Sequence, residues 1–372
     1  MAFSFWMIRT AALVSMLLAS LSNCGTLAPS GTRTTASPLR PSPTRAPSNT
    51  LLVMTTPVAA QGRYGIEIVN VDGAVVASAT AASPTYVRGP GPPGVGTTND
   101  RAYFRDGDTT IRWLAPDGST GSAATVPGGP MSPVGFAVSP DDTRIAIAAL
   151  QYRMDQFNNP TVQSLRLYVQ SLGGDKRSTD IFTSTSVAEW PIGWHADALV
   201  IAVSVPHAQY AADNPYSAYG GYHVVDPSTG TRVVDVCYLR MPEATPSGPA
   251  VPAGTLCGDY VTASDWSGRL TRFAVPKGIG CLALSPGGDM AACRSWAEEL
   301  GSILVYRPNG SLVSSAGSGN RPAWIDENHI AFSAGPSAYT RGDYSLILDI
   351  PSGSVTSIAV PGEFVGLLPG AL

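Results

Sequence analysis

VGFAVSPDDTRIAIAAL, residues 134–150, consists of an apolar run, a tight Ser-Pro-Asp-Asp turn and a second apolar run. Pro presets the turn backbone and the short acidic side chains bond to nearby amides, so the segment predicts a β-hairpin. The unit returns as IGCLALSPGGDMAACRSW (279–296), RPAWIDENHIAFSAG (321–335) and PIGWHADALVIAVS (191–204), with a looser copy in NDRAYFRDGDTTIRW (99–113). A second hairpin follows the main copies: LRLYVQSLGGDKRS (165–178), GYHVVDPSTGTRVVDV (221–236), SILVYRPNGSLVSSA (302–316) and YSLILDIPSGSVTSIAV (344–360). Two more second-type hairpins are IEIVNVDGAVVASA (66–79) and TTIRWLAPDGSTGSAATV (109–126).

Turns of the second type fall near residues 72, 117, 173, 228, 266, 309 and 352, a spacing of 38 to 56 residues. Four strands per period of about 40–50 residues is the pattern of a β-propeller blade. The expectation is an all-β, seven-bladed β-propeller. Six blades would result only if the weakest member, Asp265-Trp266-Ser267-Gly268, were left out, and that would double one spacing. A four-stranded sheet with two apolar faces does not persist alone in water, whereas a ring covers both faces of every blade. EFVGLLP (363–369) copies a first strand and then stops, while LLVMTT (51–56), IEIVNV and AVVASA supply three strands at the other end. The C-terminal strand is therefore expected to complete blade 1.

The SPDD…IAIAAL and SPGGD…AAC units resemble the repeats of TolB-type, WD-like propellers, over roughly residues 51–370. The resemblance implies a fold. The chain has no room for the separate α/β domain of TolB, so that family's partners are not implied.

The composition agrees. The chain has 372 residues, 44% hydrophobic and 13% charged, with 39 Gly and 32 Pro, which suits many short strands and frequent turns rather than disorder. No Asp or Glu precedes Glu67, while Arg9, Arg33, Arg40, Arg45 and Arg63 do; the remaining 18 basic and 27 acidic residues leave the globular part acidic. An acidic domain repels a phosphate backbone, so no nucleic-acid partner is expected. Arg33, Arg40 and Arg45 either add attraction to an anionic membrane surface or keep their segment soluble.

Residues 1–24 read MAFSFWMIRTAALVSMLLASLSNC. One arginine precedes the apolar run Thr10–Leu21, which is too short to span a bilayer and has the layout of a secretory signal peptide. Leu21-Ser22-Asn23-Cys24 resembles a bacterial lipobox, with Asn23 where the pattern has Gly, Ala or Ser; the resemblance implies lipidation at Cys24 and anchoring at the membrane outside the cytoplasm. The expected organisation is a signal peptide (1–23), a lipidated cysteine and Ser/Thr/Pro-rich tether (24–50), and the propeller (51–372). Four cysteines remain. Cys281 and Cys293 flank a turn almost symmetrically, and Cys237 and Cys257 would close the Pro-rich segment between them, giving two disulfides; the alternative is four buried thiols.

Connections after the second and fourth strands of a blade share one face, and four long insertions fall after second strands: 151–164, 206–221, 297–301 and 335–343. In and beside them stand Tyr152, Arg153, Asp155, Phe157, His207, Tyr210, Tyr216, Tyr219, Trp296, Glu298, Tyr339, Arg341 and Asp343. Tyr, Trp and Arg on loops of a rigid scaffold are the residues of recognition surfaces, and aromatic faces beside carboxylates suit a peptide or glycan. Singly, each aromatic side chain has the plainer reading of pinning its own loop. Arg341-Gly342-Asp343 spells an adhesion tripeptide that recurs by chance. His195, His207, His223 and His329 lack metal-ligand spacing, and Asp141, Asp142, Asp326 and Glu327 sit where turns need caps. Neither a nucleophile elbow nor a phosphate or dinucleotide loop is present, so no catalytic residue, metal or cofactor is expected. The chain reads as a binding or scaffold module for a protein or a cell-envelope glycan or peptide. The alternative is a glycan hydrolase or lyase with acids converging on the central channel.

Overall fold

A computed structural model of the chain describes residues 50–58, 61–70, 73–85, 94–156, 160–173, 177–204, 219–237, 248–295, 301–333, 344–370 and 372. The expected signal peptide, Cys24 and all of the expected tether except Thr50 lie outside these residues. Middle strands such as Arg144–Met154 have near-continuous apolar runs because both faces are covered. Ile145 and Ile147 turn toward a cluster with Tyr103 and Ile111, while Ala146, Ala148 and Leu150 turn toward one with Trp190 and Ile201. Successive side chains of one strand thus serve two seams between sheets.

The sheets form a seven-bladed propeller. Blade 1 runs Glu363–Leu368, Leu51–Pro57, Arg63–Asn70, Val75–Ala82, and blade 2 runs Val95–Thr97, Ala102–Asp106, Thr110–Leu114, Thr120–Thr125. Blade 3 is Val134–Val138, Arg144–Met154, Pro160–Ser171, Ser178–Ser184, and blade 4 is Glu189–His195, Ala198–Ser204, Tyr219–Val225, Arg232–Val236. Blade 5 has the three strands Thr255–Leu256, Thr262–Ser264 and Leu270–Arg272. Blades 6 and 7 are Ile279–Leu284, Ala291–Ser295, Ser302–Tyr306, Leu312–Ser318 and Asn320–Asp326, His329–Ser333, Tyr344–Asp349, Ser354–Pro361. First strands touch those of neighbouring blades, as between blades 1 and 2, 2 and 3, 3 and 4, and 6 and 7, so they line the axis. Fourth strands such as Thr120–Thr125 and Ser178–Ser184 are the most exposed.

The last strand closes the ring as expected: Leu51 pairs with Leu368 and Leu52 with Leu367. The hairpin around Trp266, the weakest repeat in the sequence, is also the least regular blade. Its innermost place is held by residues near 248–254, where Val251 bridges Gly254 and Gly248 packs against the carbonyl of Leu282 in blade 6. Both disulfides are present, Cys237–Cys257 and Cys281–Cys293, the latter joining residues directly opposite each other in the first two strands of blade 6.

Candidate functional site

The two faces of the ring differ in their connections. On one face, first-to-second and third-to-fourth turns are short and capped by their own side chains. Asp141 accepts from the amide of Thr143, Asp226 from Ser228, Asp265 from Ser267, Asn309 from Ser311 and Asp326 from Asn328. The hydroxyl of Ser139 donates to Asp141 and holds its carboxyl below the ordinary aspartate value. Asp142 takes a positive φ of 58° at the place where Gly288 takes 79° in the blade 6 turn. The acidic turn residues therefore act as caps.

The mouth of the ring on this face is also crossed by the chain's last residues. The amide of Gly370 donates to the carbonyl of Thr98 in blade 2, and the side chain of Leu372 fills the space that Gly193, lacking a Cβ, leaves on the first strand of blade 4.

On the opposite face the second-to-third connections are long in four of the blades. They join Met154 to Pro160, Ser204 to Tyr219, Ser295 to Ser302 and Ser333 to Tyr344. The first of them is shorter than the sequence reading allowed, because residues 151–154 and 160–164 continue the strands of blade 3. Alternation simply carries on: Leu150 and Tyr152 are buried, and Arg153 between Tyr152 and Met154 is exposed. Tyr152 packs in the core cluster, where burial pushes its phenol up to about 12. Tyr219 is likewise buried at the start of its strand, its ring 6.2 Å from that of Tyr222. These two rings are therefore part of the wall beneath the rim, while Arg153 stands exposed and Asp155 half-buried on it. Phe157, His207, Tyr210, Tyr216, Trp296, Glu298, Tyr339, Arg341 and Asp343 lie outside the described residues.

Below the rim, blade 4 holds a polar group that sequence reading missed. Glu189 opens its first strand opposite Val203, and His223 lies opposite Ile201 on one side and Asp235 on the other. The pairings put Glu189, His223 and Asp235 on one face of the sheet. Glu189 and His223 are 5% and 2% exposed. Oδ1 of Asp235 lies 2.7 Å from Nδ1 of His223; a carboxylate only accepts, so the ring proton sits on Nδ1. Nε2 lies 4.0 Å from Oε1 of Glu189, and among the described residues no hydrogen bond reaches that carboxyl. Burial pushes Glu189 up to about 7 against a partial offset from the charge of Arg232. Burial also pulls His223 below its ordinary value, with Arg232 acting in the same sense and Asp235 against it. A lone carboxylate inside EWPIGW was the available signal, but its partners lie 34 and 46 residues away and only strand register brings them together.

Among the described residues no three His, Cys, Asp or Glu side chains gather where they would hold a metal ion. No family model matches the chain, and no curated protein matches it. Among solved structures the chain is similar to TolB from Acinetobacter baumannii, at 11% identity and TM-score 0.38, over 87% of this chain and 65% of that one. It is similar to the β-propeller domain of Myceliophteria thermophila Cps50 (Swd1), at 15% identity and TM-score 0.40, over 75% and 88% of the two chains. A third similar structure is oligogalacturonate lyase from Vibrio parahaemolyticus, at 8% identity and TM-score 0.38, over 85% and 80%. The resemblance to TolB-type and WD-like propellers stands at the level of fold; the ring itself follows from the chain's own strand pairing.

Proposed function

We propose that this chain is an exported binding module, anchored to the cell membrane through a lipid on Cys24, that recognises a protein or a cell-envelope glycan or peptide with its long-loop face. The observation that carries this reading is the division of the ring into two unlike faces. One has short turns tied down by Asp and Asn caps, with Gly370 and Leu372 laid across its mouth. The other gathers connections of up to 14 residues, from 205 to 218, on strands fixed by a closed ring. Variable loops on a rigid scaffold suit recognition, because the ordering cost is borne by the scaffold before the ligand arrives. Two disulfides favour an oxidising compartment outside the cytoplasm. Glycan hydrolysis would need two carboxyls facing one substrate. Glu189 and Asp235 instead lie on either side of the His223 ring, Glu189 buried in a seam between blades and Asp235 on the exposed fourth strand.

Photo-crosslinking tests the choice of face. A photoreactive residue replacing Arg153, exposed on the long-loop rim, is expected to yield a discrete adduct in intact cells. One replacing Val233, 63% exposed on an outer strand near the short turns, yields none. The Arg153 adduct is lost when residues 205–218 are replaced by a short Gly/Ser turn. An adduct from Val233 alone would contradict the assignment.

A further inference from the structure

The face of blade 4 that bears Glu189, His223 and Asp235 is turned toward blade 3. Its other face carries Tyr222, whose ring meets Trp266 of blade 5 at 5.9 Å. Blade 3 answers with Ala148, Leu150, Tyr152, Leu165 and Leu167, all buried and none of them charged. A carboxyl held here without a hydrogen bond among the described residues is costly when ionised, and the cost falls either by taking up a proton or by admitting water to the seam. The imidazole beside it has one nitrogen committed to Asp235 and the other 4.0 Å from the carboxyl. Such a pair is neutral with a single proton on Glu189 and acquires a buried charge when that proton leaves.

We propose that Glu189 and His223 form a proton-binding site in the seam between blades 3 and 4, and that the bound proton keeps the seam closed. Among the described residues, the other titratable groups around the pair leave the assignment unchanged. Tyr152, at about 12, stays neutral near pH 7. Asp235 and Arg232 pair with each other at 3.6 Å on the exposed fourth strand. Arg166 and Asp180 of blade 3 pair at 2.7 Å beside Tyr168, whose ring belongs to the blade 2 seam, and Arg153 alternates to the far side of its strand.

The sign of the effect follows. The folded value of Glu189, about 7, lies above the ordinary 4.5, so its contribution to stability is whole below 4.5 and lost as pH rises through 7. His223 acts in reverse: its folded value is lowered, so its contribution is present above 6.5 and lost as pH falls through the folded value. The seam is tightest between these limits.

Infrared titration of the purified full chain reads the site directly and needs no variant. A protonated-carboxyl band is expected to disappear with a midpoint near pH 7, and the isosteric Glu189→Gln protein lacks that band. Urea unfolding of wild type and Glu189→Gln at matched pH reads the effect on the seam. From one unit below to one unit above the midpoint, the folding equilibrium constant of wild type is expected to fall about tenfold relative to that of Glu189→Gln. The absence of a carboxyl titrating near neutrality overturns the site, and a constant difference in stability across that range overturns its effect on the seam.

Discussion

Trp194 and Trp324 hold equivalent places in blades 4 and 7, and each fastens its blade to the one before. Nε1 of Trp194 donates to the carbonyl of Ala137 at 3.2 Å, and Nε1 of Trp324 donates to that of Ala283 at 3.1 Å. Arg144 adds a cation–π contact, its guanidinium 4.6 Å from the Trp194 ring. Trp190 is as deeply buried, yet its Nε1 finds no acceptor among the described residues. Removing a donor whose acceptor then stays buried costs about 1–3 kcal/mol, whereas removing a donor that had no acceptor does not incur that cost. Trp194→Phe is therefore expected to lower unfolding free energy by about 1–2 kcal/mol more than Trp190→Phe in urea titrations. Equal losses would mean that the indole bond between blades contributes nothing. At this scale the sequence was only partly readable. The turn roles of Asp141 and Asp326 followed from local chemistry, but the burial of Tyr152 and Tyr219 depended on how far their strands extend past the expected loop boundary.

A blade is repeated, but its turns are not interchangeable, because each meets a different neighbour. Gly118 and Gly310 close the same third-to-fourth turn in blades 2 and 6 with the same φ of 83°. A Cβ on Gly118 would meet open space, while one on Gly310 would come within 2.4 Å of the carbonyl of Ala274 in the chain leaving blade 5. Alanine at either position carries the left-handed backbone cost of about 1 kcal/mol. At Gly310 it also forces the blade 5–6 seam apart. Gly310→Ala should accordingly lower the thermal midpoint clearly more than Gly118→Ala, a difference that differential scanning calorimetry resolves. Matching midpoints would place the two blades farther apart than described. The hairpins were legible because their turn residues recur with a period. Blade 5 was legible only as a single turn, since its inner edge is made by an irregular segment around Val251.

For the whole ring, the number of blades and their closure followed from repetition alone, because only a closed ring covers both faces of every sheet. The group at Glu189 did not, because register, and not proximity in the chain, unites residues 189, 223 and 235. The rim proposed for binding inherits its rigidity from the closing pairs Leu51 with Leu368 and Leu52 with Leu367, and from Leu368 itself, 2% exposed. The most direct measurement is fragment complementation. A chain ending at Val360 is expected to lose cooperative unfolding and to associate through the bared edge of blade 1, and to recover a monomeric, cooperative fold when a peptide spanning residues 361–372 is added. A truncated chain that stays monomeric, with an unchanged thermal midpoint and no response to the peptide, would contradict the closed ring on which the rim depends.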